Sequence, residues 1–397
     1  MIKVSYAQTV YGKDEIDAVV ACLKSSTQMS KHASEFESKI SRLFEKKYGL
    51  FVNSGSSALY LGMEASNFPD GSEVITPALT FSTTVGSIVK NNLVPVFVDV
   101  GENDYCINTD QIEQMISNKT KAIMAPNLMG NLCDWKLIRE IADKYKLMVI
   151  EDSADTLGST LGGKNPGSYT DWSITSFYGS HIINCAGNGG MLCVNDDEIY
   201  KKAKLLRSWG RSSSIFDEKS EAIENRFNVK IGNIDYDAKF IFEEIGYNLE
   251  GSEIGAAFGL AQLKSLDKNI EERIKNFNIQ TDFFNRHENL FLTPKITDSA
   301  HTAWLAYPII IKDEAPFSRR DFQIYLEKNN IQTRTVFTGN ITKQPGFKDI
   351  EMRKIENLQN SDRIMKSAVL LACHHGLTNE MIAHMHNTIE DFIVIHK

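Results

Sequence analysis

The sequence contains no excess of positive charge and no long apolar segment. Its 397 residues include 43 Lys and Arg against 51 Asp and Glu, which gives a formal net charge of −8. This balance argues against nonspecific binding of DNA or RNA. No stretch approaches the roughly 18 consecutive apolar residues that cross a bilayer, and no apolar signal segment follows Met1. We therefore expect a cytoplasmic protein with no nucleic-acid partner and no membrane partner.

Cysteine is also scarce, with six residues that form neither a CxxC pair nor a dense cluster. A chain of this length does not need disulfides to fold, so we expect reduced thiols buried in the core. Walker and dinucleotide-binding fingerprints are absent as well. Four histidines near the C-terminus lack metal-ligand spacing. We expect no metal site and expect these four to be solvated: His374, His375, His384 and His386.

The residues that are present follow the pattern of an α/β protein. The chain is 42% hydrophobic and 10% aromatic, which provides a sizeable core and excludes wholesale disorder, collagen-like and coiled-coil architectures. Between residues 47 and 195, short apolar runs alternate with amphipathic helical stretches, which predicts a mostly parallel sheet with helices on both faces. The predicted strands are residues 49–53, 73–76, 94–98, 122–125, 147–151, 173–177 and 191–194.

The second half of the chain differs in composition and in the order of its predicted elements. Residues 210–239 are polar and charged, which suggests a long functional loop. Residues 303–397 again alternate strands and helices, as expected for a smaller α/β lobe. We therefore predict a large domain over residues 1–252 and a smaller C-terminal domain over residues 253–397. The predicted elements of the lobe are strands at 304–311 and 332–337 and helices at 317–328 and 379–392.

A turn rich in hydroxyl groups follows the first predicted strand and opens a helix. It contains Gly55, Ser56 and Ser57. Free backbone N–H groups at a helix N-terminus, together with serine hydroxyls, can bind a phosphate. The same residue types also form an ordinary helix cap, which is their more common use at this position.

Acidic residues stand at the carboxyl end of the strand at 147–151. Asp152 and Asp155 follow it closely, and ligands of open α/β sheets bind at this edge. A carboxylate there can hold a protonated ring nitrogen through a charge-assisted hydrogen bond. The alternative is a solvated strand end or a helix cap.

The strand at 173–177 brings Ser176 to the same edge and continues to His181 and a glycine-rich return at 187–190. Glycines let the backbone approach a bound group closely. His181 is expected at the mouth of this edge. There it is either a catalytic group or an ordinary exposed histidine.

Together, these three motifs resemble the sugar-aminotransferase family of fold type I pyridoxal-phosphate enzymes, the DegT/DnrJ/EryC/StrS group. The likeness extends through nearly the whole chain. It implies an aspartate-aminotransferase-like fold whose large domain binds the cofactor. In these enzymes, a turn like that of Gly55, Ser56 and Ser57, together with a serine like Ser176, holds the cofactor phosphate.

The resemblance implies roles for four further residues. An aromatic residue like Phe81 stacks on the pyridine ring, and an aspartate like Asp152 pairs with the ring nitrogen. An asparagine like Asn248 reaches the phosphate of the neighbouring subunit's cofactor, which implies a homodimer with the active site at its interface. Asp155 would contact the cofactor aldehyde oxygen or the histidine.

One departure from the family pattern decides the interpretation. The transaminases of the family carry a lysine where this sequence has His181, and no lysine lies nearby in the sequence. Imidazole forms no Schiff base with an aldehyde, so the phosphate, ring and nitrogen contacts alone must hold the cofactor. An imidazole with a pKa of about 6.5 exchanges protons near neutrality instead. The sequence thus resembles the 3-dehydratase branch of the family, with His181 as the catalytic base.

Enzymes of this branch need an amine donor or electrons in every cycle. Some carry an iron–sulfur cluster, which needs about four thiolates, but residues 211–240 contain no cysteine. We therefore expect no iron–sulfur cluster, and we expect L-glutamate to convert pyridoxal phosphate to pyridoxamine phosphate. Arg334 is a candidate to bind a substrate carboxylate or phosphate, or it is a surface arginine. Asn188 and Glu250 depart from the family pattern and leave the identity of the sugar nucleotide open.

The leading hypothesis is a dehydratase that removes the C3 hydroxyl of a nucleotide-linked 4-keto-6-deoxy sugar. Its product would serve deoxysugar biosynthesis, as in the O-antigen of lipopolysaccharide or a related glycan. A nucleotide-sugar aminotransferase is the second hypothesis, and the missing lysine argues against it. A catalytically inactive scaffold that binds sugar nucleotides is the third, and the retained cofactor-binding residues argue against that.

Overall fold

A computed structural model describes residues 2–215 and 226–396. The first half of the chain begins with two helices and then alternates strands with helices. Its elements are α1 (Lys13–Ser25), α2 (Lys31–Leu43), β1 (Tyr48–Val52), α3 (Gly55–Ala65), β2 (Glu73–Pro77), α4 (Ser82–Lys90), β3 (Val94–Val98), α5 (Ile112–Met115), β4 (Thr120–Pro126), α6 (Trp135–Tyr145), β5 (Met148–Asp152), β6 (Thr160–Leu161), β7 (Trp172–Ser176), β8 (Gly190–Val194) and α7 (Asp197–Arg207).

The second half contains more short strands and two long helices. The predicted loop at 210–239 includes a small antiparallel hairpin at residues 229–236, and its residues 216–225 lie outside the described residues. The elements are β9 (Val229–Ile231), β10 (Ile234–Tyr236), α8 (Glu253–Leu263), α9 (Leu266–Asn285), β11 (Phe291–Leu292), β12 (Ala300–His301), β13 (Ala306–Ile311), α10 (Arg319–Lys328), β14 (Arg353–Lys354), α11 (Gln359–Ser367), β15 (Ala368–Ala372) and α12 (Asn379–Ile395).

Eight strands form the large sheet, in the order β1-β8-β7-β5-β4-β2-β3-β14. Strand β8 is antiparallel to both of its neighbours, and the other strand pairs are parallel. The prediction of a mostly parallel sheet is therefore confirmed. All seven strands predicted in this region are present, with ends within two residues of those expected. Because β2, β4, β5 and β7 run parallel, their carboxyl ends meet at one edge.

Helices cover both faces of the large sheet, as predicted. Strand residues alternate between the two faces. Val149 packs with Trp135 and Ile138 of α6 on one side, whereas the next residue, Ile150, packs in the cluster that contains Leu59 of α3. Each strand is thus buried on both faces, which explains its continuous apolar sequence.

A smaller antiparallel sheet of β11, β13 and β15 lies in the C-terminal part and shares a hydrophobic cluster with α10 and α12. The prediction of a strand at 332–337 is wrong. Within this segment only Arg334 pairs with another strand, through an isolated bridge to Leu370. The chain turns at Phe337, which has a φ of 40°, before further pairs form. Strand β14 was not predicted, since two residues are too few for periodicity to indicate.

The predicted boundary between residues 252 and 253 separates two regions of the sequence whose strands pair with each other in the structure. The three-stranded sheet comes entirely from the C-terminal region, as the prediction requires. Strand β14 from the same region, however, joins the edge of the large sheet. At the N-terminus, Val4 forms a parallel bridge with Ile331. The boundary itself stays a prediction.

The cysteine prediction is confirmed and the histidine prediction is wrong. All six cysteines are free and buried. His374 is 1% exposed and lies 3.0 Å from the Ser5 carbonyl oxygen. The other three histidines are half-buried, and each has a hydrogen-bond partner: His384 contacts Asn329, His386 contacts Gln280 and His375 contacts Arg273. Burial among these partners, which sequence spacing does not reveal, keeps them from being solvated. Within the described residues, no helix is both long and apolar enough to cross a bilayer.

Candidate active site

A cavity of about 410 Å³ opens where the carboxyl ends of the parallel strands meet. Three residues of the predicted site do not line it: Ser57, Asn248 and Arg334. The strand topology brings together the other seven, although up to 126 positions separate them in sequence. The predicted residues that line the cavity are Gly55, Ser56, Phe81, Asp152, Asp155, Ser176 and His181.

One end of the cavity is formed by the N-terminus of α3. Ser54 caps this helix by accepting a hydrogen bond from the Ser57 N–H at 3.1 Å, and the Ser57 hydroxyl donates to Asn53 at 2.6 Å. Ser57 is therefore used in the cap, while Gly55 and Ser56 face the cavity. Their position at a helix N-terminus suits an anion.

Gly55 allows α3 to approach the end of β7. A Cβ atom at this position would lie 2.8 Å from Cβ and 3.2 Å from Oγ of Ser176. The hydroxyl of Ser176 is therefore held beside the helix N-terminus. This arrangement fits the phosphate group that the family resemblance implies, since N–H and hydroxyl donors converge on one point.

A buried carboxylate lies at another position in the cavity. Asp152 accepts hydrogen bonds from the Thr84 hydroxyl at 2.8 Å and the Ala154 N–H at 3.3 Å. Burial raises its pKa to about 6, and the nearby Asp155 raises it further against the lowering effect of the Thr84 bond. Asp152 is thus mostly ionised at neutral pH, and its contacts within the described residues include no lysine or arginine. A protonated ring nitrogen in the cavity would supply the missing positive charge.

His181 presents an unprotonated nitrogen to the cavity. Its Nδ1 lies 3.0 Å from the Ser176 carbonyl oxygen, which only accepts, so Nδ1 carries the hydrogen. Its Nε2 lies 3.8 Å from Oδ1 of Asp155. Burial lowers the imidazole pKa to about 4, the Ser176 bond opposes that change, and Arg273 adds to it. The imidazole is therefore neutral at pH 7 and able to accept a proton at Nε2.

Asp155 is the acidic partner of this histidine. Its Oδ2 accepts a hydrogen bond at 2.9 Å from the N–H of Met129, a residue held at a φ of 58°. Burial raises the pKa of Asp155 to about 7, although the Met129 N–H and Arg273 lower it. Near neutrality the carboxyl group can therefore hold or release a proton next to the His181 ring.

The remaining predicted residues lie around the cavity. Phe81 lines it with half of its surface exposed and makes an edge contact with Phe337 at 5.8 Å. Arg334 lies outside the lining, with its guanidinium 5.4 Å from the centroid of the Tyr6 ring and Nη1 bonded to the Thr333 carbonyl. Asn248 is exposed and is not among the lining residues.

The two departures from the family pattern differ in position. Asn188 lines the cavity, whereas Glu250 accepts a hydrogen bond from the Ser208 hydroxyl at 2.7 Å. Asn188 is therefore the one of the two that a bound molecule can contact. No lysine or arginine is among the lining residues of the cavity in the described part of the chain.

Among the lining residues that were not predicted as site residues, three show why sequence reasoning missed them. Asn127 follows the carboxyl end of β4, so the edge rule that identifies Asp152 would also identify it. Phe337 belongs to the segment of Arg334, but a phenylalanine in that segment carries no chemical signal. Tyr6 reaches the cavity because Val4 pairs with Ile331, a long-range contact that local sequence does not reveal.

Comparison with known proteins identifies the same family that the sequence motifs resemble. Residues 10–390 match the DegT/DnrJ/EryC1/StrS aminotransferase family. The lipopolysaccharide biosynthesis protein RfbH of Salmonella typhimurium is 33% identical over 394 residues, which cover 96% of this chain and 90% of the relative. The dTDP-4-dehydro-2,6-dideoxy-D-glucose 3-dehydratase of Saccharopolyspora spinosa is 33% identical over 96% of this chain and 84% of the relative.

A solved structure resembles the whole chain. It is the GDP-4-keto-6-deoxy-D-mannose-3-dehydratase of E. coli with bound hydrated PLP. The TM-score is 0.88 at 26% sequence identity, over 98% of this chain and 99% of that one. The predicted aspartate-aminotransferase-like fold is therefore confirmed.

Proposed function

The chain belongs to the DegT/DnrJ/EryC1/StrS aminotransferase family, and we propose that it is a 3-dehydratase of a nucleotide-linked 4-keto-6-deoxy sugar. We propose that it uses pyridoxal and pyridoxamine 5′-phosphate with L-glutamate as amine donor. The observation that carries the proposal is a neutral imidazole, His181, in a cavity whose lining within the described residues contains no lysine. A base without a Schiff-base lysine suits proton transfer and elimination rather than ordinary transamination.

The cofactor would be held by the three parts of the cavity described above. Gly55, Ser56 and Ser176 would bind its phosphate, Asp152 its protonated ring nitrogen, and Phe81 the face of its ring. When bound as pyridoxamine phosphate, the group supplies an amine that condenses with the sugar ketone and a ring that accepts electrons.

His181 would move the proton of the elimination. Its Nε2 accepts a proton from the reacting carbon and returns it to the departing C3 hydroxyl oxygen. The bond from Nδ1 to the Ser176 carbonyl fixes the tautomer and the direction of Nε2. Asp155, 3.8 Å away with a pKa of about 7, stabilises the imidazolium that forms when Nε2 is protonated.

Two observations support L-glutamate as the amine donor: the placement of the cysteines and the position of Arg334. An iron–sulfur cluster needs about four thiolates in one place, whereas the described residues, which include all six cysteines, contain no group of three or more cysteine, histidine or acidic side chains that could hold a metal. The Arg334 side chain is 53% exposed beside the cavity-lining Tyr6, and its guanidinium lies 4.0 Å from the carboxylate of Glu327. At that distance it would exchange this partner for a substrate carboxylate or phosphate. We therefore assign it to substrate binding.

A homodimer with the active site at its interface is part of the proposal. Asn248 is exposed in a segment of exposed apolar side chains that includes Phe242, Ile245 and Tyr247. Ile245 is 95% exposed, which is unusual for isoleucine in a monomer. A second copy of the chain would cover these side chains and place Asn248 next to its cofactor phosphate.

Product analysis tests the function. The purified protein is incubated with pyridoxal phosphate, glutamate and a panel of GDP-, CDP-, UDP- and dTDP-linked 4-keto-6-deoxy sugars. We expect one sugar nucleotide to lose one oxygen atom, with one equivalent each of 2-oxoglutarate and ammonia. An amino sugar without released ammonia would support the aminotransferase instead. Deoxygenation that needs an external reductant and no glutamate would overturn the amine-donor assignment, and absence of cofactor binding would support the inactive scaffold.

A further inference from the structure

A fully buried arginine lies behind the turn that carries His181. Arg273 belongs to α9 and is 0% exposed, although arginine is rarely buried completely. Burial lowers its pKa to about 10, so the guanidinium is still charged at neutral pH. A charge in this position costs folding free energy unless its surroundings compensate for it.

Four hydrogen bonds hold the guanidinium of Arg273. Its Nη1 donates to the carbonyl oxygens of Trp304 and Leu305, both at 3.1 Å, and its Nη2 donates to the carbonyl oxygen of Ser180 at 3.2 Å. Its Nε donates to Nδ1 of His375 at 3.1 Å. Burial lowers the pKa of His375 to about 3, so all four acceptors are uncharged at pH 7. The positive charge is therefore hydrogen-bonded but not neutralised by these partners.

These bonds join two chain segments that line the cavity. Ser180 immediately precedes His181, and both Ser180 and Leu305 line the cavity. One planar group therefore fixes the backbone before the histidine relative to the segment that contains Leu305. The His181 ring is fixed independently by its own bond to the Ser176 carbonyl. The combination leaves the imidazole little freedom to leave its position.

The charged and titratable groups around His181 come from several elements. Asp152 and Asp155 lie at and after the end of β5, Tyr178 is in the histidine's own turn, and Tyr6 comes from the N-terminal segment. Arg273 of α9 is the cation that acts on the imidazole from behind, and it lowers the pKa of His181 while Asp152 raises it. The arginine also lowers the pKa of Asp155.

We propose that Arg273 is a positioning residue for His181, which fixes the Ser180–His181 turn and holds a positive charge behind the imidazole that accepts the proton. This inference rests on the proposed function for the use of that proton, but the geometry and the charge do not depend on it. A purely structural buried arginine would affect folding without affecting the titration of one particular histidine.

The first test is an NMR titration of the cofactor-free protein. Histidine Cε1–H signals are followed against pH in the wild type and in Arg273→Gln, and His181→Asn identifies the relevant signal. We expect the His181 midpoint to rise by about one pH unit in Arg273→Gln, since a nearby cation is removed. Arg286→Gln is the matched control, because Arg286 caps the same helix, is exposed and stacks on Phe283. An unchanged His181 midpoint in Arg273→Gln would overturn the proposal.

A second variant serves if Arg273→Gln does not fold. Arg273→Lys keeps the charge but cannot reproduce the planar fork of donors. We expect its His181 midpoint to stay near that of the wild type, its kcat for deoxygenation to fall about tenfold and its KM for the sugar nucleotide to stay unchanged. A wild-type kcat in Arg273→Lys would contradict the positioning role. Absence of deoxygenation in the wild type would instead contradict the proposed function, and the titration would still decide the role of the charge.

Discussion

Two neighbouring carboxylates of β5 show what separates a structural acid from a functional one. Glu151 and Asp152 are both buried and point to opposite sides of the sheet. Glu151 accepts hydrogen bonds from Ser173 at 2.6 Å and Asn127 at 2.9 Å, whereas Asp152 lines the cavity. Burial raises the pKa of Glu151 to about 7 and that of Asp152 to about 6. A raised pKa therefore does not identify the site, and access to the cavity does.

The same contrast applies to the histidines. His374 and His386 also have lowered pKa values, about 4 in both cases, because they are buried. His386 stacks on Phe283 at 4.0 Å and bonds to Gln280. Only His181 among these three combines the neutral form with a ring nitrogen that faces the cavity. The following substitutions compare residues that line the cavity with residues that do not, beginning with the largest expected effect.

Substitution of His181 by asparagine should have the largest effect on turnover. Loss of a general acid–base group costs about 10²–10⁴-fold in rate, so we expect kcat for deoxygenation to fall about 10³-fold in His181→Asn. Cofactor affinity should change little, which absorbance titration with pyridoxal phosphate can measure. His301→Asn is the control, since His301 is half exposed and pairs only loosely with Glu271 at 3.6 Å. Turnover of His181→Asn within tenfold of the wild type would remove this residue from the mechanism.

Substitution of Asp152 by asparagine should come next. The amide has nearly the same shape but cannot stabilise a protonated ring nitrogen, so the electron-accepting state of the ring loses its counter-charge. Loss of one such electrostatic partner costs about 10²–10³-fold in rate. We expect kcat to fall by that factor and cofactor binding to weaken in a spectroscopic titration. An Asp152→Asn variant as active as its Glu151→Gln neighbour would show that the two faces of β5 are equivalent.

Substitution of Gly55 by alanine should have a smaller effect that is confined to cofactor binding. The added Cβ would press on Ser176 at 2.8 Å and separate the two phosphate-binding elements. We expect cofactor affinity to fall about tenfold, which corresponds to about 1.4 kcal/mol. Gly62→Ala is the matched control on the same helix, because its Cβ would meet Trp172 at 2.9 Å in the core instead. Both variants should lose about 1–3 kcal/mol of stability through overpacking, so equal loss of affinity would contradict a local role for Gly55.

The sequence was sufficient for those parts of the site that follow from strand ends. Asp152 and Ser176 each end a parallel strand, and their meeting follows from the rule that such ends share an edge. Ser57 was assigned to the phosphate site, but the need to cap α3 directs its hydroxyl to Asn53. Arg273 and Tyr6 were not identified, because their positions depend on contacts across about 90 and 325 residues, respectively, which no local pattern encodes.

Substitution of Glu151 by glutamine should have the smallest effect on activity and a clear effect on the pH dependence of stability. The pKa of Glu151 is about 7 in the folded state against an ordinary value of 4.5. Its protonated form therefore stabilises the fold below about pH 4.5, and that stabilisation is lost as the pH rises through 7. The shift corresponds to about 3 kcal/mol.

Glutamine cannot ionise, so Glu151→Gln lacks this loss. We expect its free energy of unfolding, measured by urea denaturation, to improve relative to the wild type by up to about 3 kcal/mol between pH 5 and pH 8.5. Turnover at pH 7 should stay within about twofold, because Glu151 does not line the cavity. Its one partner there, Asn127, can still donate its hydrogen bond to the amide oxygen of a glutamine. A large loss of turnover with no change in the pH dependence would mean that Glu151, rather than Asp152 alone, acts on the reaction, and the distinction between the two faces of the strand would fail.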